Sequence, residues 1–223
     1  MGVYKEVIKP IPKQVSEEML KSDLERYKNT AIELGADAAE IIPTSYVHVD
    51  ERVRLKCFVP HCPRYGETPN CPPGLPSPEE VRKALSRYSH AIFFKTEIRP
   101  VADYIPIHGS TRTGSSQTLY FHKKTSEIVN DIERMAFKDG YYLALGLGGG
   151  SCKDYICAGQ ICQFIDSGRC RAPLKARPSM EAFSIEVVGL INKVGWEIYP
   201  LTYAEDNPEA IPFGISVGIV FIC

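Results

Sequence analysis

The sequence predicts an α/β fold, a single domain over 1–223 with a largely parallel or mixed sheet, and three observations predict it. Segments of helical period alternate with short apolar runs along the chain. The order helix, strand, cysteine loop, helix, strand occurs twice, over about 16–98 and about 116–201. Each copy also carries the same wide thiol spacing. Cys57, Cys62 and Cys71 stand at C-x4-C-x8-C, and Cys152, Cys157, Cys162 and Cys170 at C-x4-C-x4-C-x7-C. Overlaid, 57 matches 157, 62 matches 162 and 71 matches 170, so the domain is expected to consist of two pseudo-repeats.

Residues 1–15 hold Pro10 and Pro12 and read as an extended arm. Ser16 can cap a helix, with Val15 and Leu20 as a hydrophobic staple. Leu20, Leu24, Tyr27, Ala31 and Leu34 then share one face, and Gly35 ends it. Strands are expected over Ala38–Ile42 and Tyr46–Leu55. The first cysteine loop, KCFVPHCPRYGETPNCPPGLP, has six prolines and two glycines, so neither helix nor central strand can order it. Ser77, Pro78 and Glu80 form a capping box that starts a helix with Val81, Leu85 and Tyr88 inward. A strand follows at His90–Phe94, then a long polar loop at 99–117. Phe121, Thr125, Ile128, Ile132 and Met135 mark a helix ending near Gly140. Tyr141–Leu147 reads as a strand leading through Gly148–Gly150 into the second cysteine loop. Ser179 is expected to cap a helix with Met180, Phe183, Val187, Leu190 and Val194 buried, before strands at Trp196–Leu201 and Ile215–Ile222. In a parallel sheet, loops after strands share one binding edge, so the two cysteine loops should be neighbours.

Composition narrows the partners. A net charge of −1 gives no argument for nucleic acid or a membrane surface. The run from Phe213 to Cys223 is too short to span a bilayer. No apolar run at the amino end resembles a signal peptide, so the cytoplasm is the expected compartment. Reducing conditions there argue against a disulfide framework for the eight cysteines. Seven of them cluster in Pro- and Gly-rich loops, where inert core cysteines have no reason to gather; Cys223 reads as part of the last strand.

Soft thiolates without a histidine pair select zinc, copper(I) or iron–sulfur clusters. Structural zinc usually brings C-x2-C pairs, and neither loop has one. Gaps of four to eight suit a guest wider than one ion, as a cubane is. Lys153, Arg169, Arg171, Lys175 and Arg177 flank the second set, and Arg54, Lys56 and Arg64 the first, where cations offset an anionic cluster. Zinc in a structural module, and a thiol-based metal carrier, remain as alternatives.

The stretches KCFVPHCPRYGETPNCPP and CRAPLKARPSMEAF resemble the two signature blocks of a family of predicted metal-binding proteins, a domain of unknown function. The resemblance runs from about Val53 to Trp196. It implies metal binding, of iron–sulfur type, through Cys57, Cys62, Cys71, Cys152, Cys157, Cys162 and Cys170, and it supplies no reaction. Catalytic residues, and whether the protein is an enzyme, stay undetermined.

The second loop has four cysteines and the first three, with Arg52 standing where Cys152 would have its counterpart. Cys152 either completes its own set, the preferred reading, or reaches across to the other cluster. On the preferred reading the first loop holds a 4Fe–4S cluster with one iron open to a small molecule, unless His61 closes it. The expected function is electron transfer or redox activation of a small molecule, with a redox protein or that small molecule as partner. A Gly- and hydroxyl-rich segment, His108–Ser116, reads as a surface loop before a phosphate cradle. Glu79, Glu80 and Glu181 in first helical turns are explained by the helix dipole.

Overall fold

A computed structural model of the chain describes residues 10–12, 14–101, 116–200 and 208–223. Four strands form one sheet in the order β1-β2-β4-β3: β1 (Ala38–Pro43), β2 (His90–Ile98), β3 (Leu145–Leu147) and β4 (Gly214–Phe221). Every neighbouring pair is antiparallel, with Ile92 opposite Ile41 and Val220. This corrects the largely parallel sheet. The reason is physical: β2 and β4 are covered on both faces, so AIFF and SVGIVF read as the unbroken apolar runs that usually mark parallel strands.

Helices supply both covers. On one face α1 (Glu17–Glu33) and α4 (Ser116–Lys138) place Leu24, Tyr27, Ala31, Ile128, Val129 and Ile132 against Ile92, Phe94 and Val220. On the other, α3 (Pro78–Leu85) and α7 (Val187–Lys193) place Val81, Leu85, Leu190 and Ile191 against Ala91, Phe93, Ile219 and Phe221. The helix starts stand where the caps put them. Ser16 accepts from the Met19 N–H, and Ser77 and Glu80 close a full capping box. Gly35 ends α1 with φ +101°.

Three expected strands give way. Of Tyr46–Leu55 only Val49 pairs, in a single bridge to Ile185, because Asp50 caps a short helix, α2 (Glu51–Leu55), through the Arg52 N–H. Tyr141–Leu147 shrinks to β3. Trp196 starts no strand; its ring stacks on Phe93 with centroids 5.0 Å apart. The helix expected from Ser179 begins instead at Val187, with the Glu186 carboxylate accepting from the Gly189 N–H. The 108–115 part of the Gly-rich segment, and Leu201, lie outside the described residues.

The cysteine loops do not issue from one sheet edge, since β1 and β3 run in opposite directions. They are rooted side by side by other means. The Asp50 N–H donates to the Ser184 carbonyl and the Glu186 N–H to that of His48. At the base of the second loop the Gly148 N–H donates to Pro178 and the Met180 N–H to Gly148.

Candidate metal centre

The first loop is a chain of tight turns. After α2 the Cys57 N–H donates to Arg54 O, the Cys62 N–H to Cys57 O, the Cys71 N–H to Thr68 O and the Gly74 N–H to Cys71 O. Prolines remove donors between these turns, so the few remaining N–H groups fix where each thiol points. In the second loop Cys152 opens α5 (Cys152–Tyr155), capped by Ser151, and the Cys157 N–H donates to Cys152 O. The same closure thus joins Cys57 to Cys62 and Cys152 to Cys157. Cys162 instead stands just before α6 (Gln163–Ser167) without a side-chain bond to it; α6 ends at Gly168 with φ +70°, and the Cys170 sulfur accepts from the Ala172 N–H at 3.4 Å.

The loops meet along a seam of polar contacts to sulfur. Thr68 Oγ1 and Asn70 Nδ2 of the first loop each lie 3.5 Å from Cys152 Sγ. Reciprocally, Ser151 Oγ of the second loop lies 3.5 Å from Cys71 Sγ. An ion pair between Arg64 and Asp154 ties the loops a second time. All eight cysteines are free thiols. Cys71, Cys152 and Cys157 are buried, at 8%, 6% and 7% exposure, while Cys57, Cys62 and Cys170 are half-buried. Cys162 lines a cleft of about 370 Å3 where Gly66 and Glu67 face Lys153, Ile161 and Ile165.

Burial pushes the Cys71 thiol up to about 11, with a hydrogen bond from Ser151 opposing and the neighbouring thiols of Cys152, Cys62 and Cys57 adding to the rise. Burial also raises Cys57 and Cys152, the latter opposed by Thr68 and Asn70. These thiols hold their protons at neutral pH, so a metal entering the site must displace them.

Thr68, Asn70 and Ser151 escaped the sequence reading. The signal available was a small polar residue within three positions of a cysteine in each loop. Glu181, read as a dipole-stabilised helix residue, stays in contact with solvent, yet the mass of protein around its carboxyl raises that group. It lies within electrostatic reach of Cys57. His61 is exposed, its ring tilted against Tyr65 at 4.9 Å. Several flanking cations act as struts: Arg177 pairs with Glu133 at 2.6 Å, Arg54 bonds Pro76 O, and Arg171 bonds Ile161 O. Cys223 packs against the core below α1 and α4.

A family model described as predicted metal-binding protein matches residues 40–215. The chain belongs to this DUF2284 family. No curated protein and no solved structure matches it. The matched span of this DUF2284 member contains both cysteine loops and the seam between them. Among the described residues no three or more His, Cys, Asp or Glu side chains are grouped so as to hold a single metal ion, and no helix is long and apolar enough to cross a membrane. The donor chemistry does fit a thiophilic guest. Seven thiols on two touching loops, with hydroxyl and amide groups aimed at two of the sulfurs, are the ligand and outer-shell types that hold and tune iron–sulfur clusters.

Proposed function

We propose that the protein is a cytoplasmic iron–sulfur protein whose two cysteine loops, inherited from a duplicated half, hold 4Fe–4S clusters for electron transfer or for redox activation of a small molecule. The observation that carries this reading is the seam: two wide-spaced thiol loops meet, and each contributes polar contacts to a cysteine of the other. A cluster of this kind supplies one-electron chemistry, and an iron without a thiolate supplies a Lewis-acid position. Two cubanes offer about eight ligand positions. The loops present seven cysteines, so one position remains for a ligand that is not cysteine.

The order of elements supports duplication. Each half contributes a helix on one sheet face, an outer strand, a cysteine loop, a helix on the other face and an inner strand. The recurring Cys-to-Cys closure pairs 57–62 with 152–157 rather than with 157–162, so the repeat drifted inside the second loop. Eight free thiols suit a reducing compartment.

The partner we propose is an acidic redox protein docking over the thiol loops. Residues 51–76 and 151–178 carry nine Lys or Arg against four Asp or Glu, leaving seventeen against twenty-three elsewhere. Among the described residues the three most exposed large apolar side chains, Leu174 at 82% and Val59 and Ile161 at 78%, lie on the same loops. Apolar contacts inside a charged rim are what a transient interface uses.

Anaerobic purification tests the reading. A brown protein whose broad visible absorption bleaches with dithionite is expected. A colourless protein carrying zinc overturns it.

A further inference from the structure

We infer that Cys152 is the fourth ligand of the first-loop site, so that the three-thiolate site with the open position is the second loop's Cys157, Cys162 and Cys170. The inference rests on the iron–sulfur reading above and decides which of its two sites is open.

The geometry at the seam carries it. The side chains in polar contact with the Cys152 sulfur, Thr68 and Asn70, both belong to the first loop, and Asn70 is bonded in sequence to Cys71. The Thr68 hydroxyl also accepts the Asn70 N–H at 2.9 Å, so the two groups facing Cys152 form one rigid turn with Cys71. From the other side Ser151, which precedes Cys152, reaches the Cys71 sulfur. Cys71 and Cys152 are therefore held as a pair, both buried, by contacts that cross the seam twice. Cys157 and Cys162 are also within electrostatic reach of Cys152, as expected for a residue at a boundary. No polar side chain of the second loop contacts its sulfur among the described residues.

Of the remaining second-loop thiols, Cys162 reaches the cleft. Cys162 lines it together with Lys153, Gly66, Gly159, Ile161 and Ile165. A Cβ placed on Gly66 or Gly159 would meet nothing within 4 Å, so both walls are open at these points. At about 370 Å3 the cleft has room for a small organic molecule; with the Glu67 carboxylate in its lining and the Lys153 ammonium bonded to the Gln160 carbonyl, a neutral oxygen donor such as an alcohol or carbonyl suits an open iron there. The first-loop site, by contrast, becomes fully thiolate-bound and suited to passing electrons.

Reciprocal single variants of the full chain test this, read by iron content and electron paramagnetic resonance after mild ferricyanide oxidation. Each cubane with an open iron gives one electron to ferricyanide and one ferrous ion to solution, leaving a paramagnetic 3Fe–4S centre. The unaltered protein should show one such centre per chain. Cys71→Ser takes the first site from four thiolates to three, so the signal should double. Cys170→Ser takes the second site from three to two, so the signal should vanish. Cys57→Ser and Cys157→Ser repeat the comparison, guarding against one variant that fails to fold. The opposite pattern, loss with Cys71→Ser and doubling with Cys170→Ser, overturns the assignment. Equal loss from both also overturns it, in favour of one shared site. Absence of acid-labile sulfide in the unaltered protein instead sinks the iron–sulfur reading itself.

Discussion

Cys71 is a thiol whose proton burial holds up to about 11, and burial raises Cys57 and Cys152 in the same direction. A thiol raised in the folded state keeps its proton where the unfolded chain has lost it. The metal-free fold should therefore keep full stability below about pH 9 and lose it as pH rises toward about 11. Metal loading has the opposite sign, because each ligand thiol must release its proton. Denaturant unfolding of the apoprotein and competition with a chelator, both across pH 7 to about 11, check the two trends. A flat apparent affinity would contradict the assignment of these thiols as ligands. Thr68→Val removes a contact to Cys152 and the acceptor of the Asn70 N–H, and should cost about 1–3 kcal/mol in stability. It should also move the reduction potential of the loaded protein to more negative values, since sulfur loses a hydrogen-bond donor. At this scale the sequence displayed the cysteines but not their surroundings. A threonine or asparagine near a cysteine is ordinary until folding shows which sulfur it faces.

The helices were legible because their ends are local chemistry. Ser16 and Ser77 stand one residue outside α1 and α3 and accept N–H groups that no earlier turn can satisfy. Ser77→Ala should cost about 1 kcal/mol, measured by chemical denaturation; no change would mean that Glu80 alone secures the start. Strand direction was not legible, because a strand covered by helices on both faces carries no alternation to read. Tyr46–Leu55 has the composition of a strand, but the Asp50 cap and the Arg52 guanidinium clamped on it at 2.6 Å start a helix there. Glycines mark where α4 lies close on the sheet. A Cβ on Gly218 would approach Phe94 Cζ to 2.5 Å and Val129 Cγ2 to 2.8 Å. Gly218→Ala is expected to destabilise the fold by about 1–3 kcal/mol through forced repacking of this contact. An unchanged unfolding midpoint would show that α4 yields without cost.

Across the molecule, the excess of positive charge and the most exposed apolar side chains among the described residues fall where the thiols are. A chain of net charge −1 hides this, since the excess of Lys and Arg on the two loops is balanced by acidic residues elsewhere. A bound anionic cluster would withdraw part of the local excess, and what remained would steer the acidic partner proposed above. Electron exchange with an acidic carrier protein should slow several-fold as ionic strength rises past about 0.1 M, where the Debye length is about 10 Å. Rates that do not change with salt would contradict docking on the basic loops. The sequence also foretold that the cysteine loops adjoin, though for the wrong reason. They meet through backbone bonds linking 48–50 with 184–186 and through the sulfur seam, not along the edge of a parallel sheet. The central claim is that these loops hold two iron–sulfur cubanes. Iron and acid-labile sulfide counted on anaerobically purified protein test it most directly: about eight of each per chain is the predicted result. One or two zinc ions with no sulfide would contradict it.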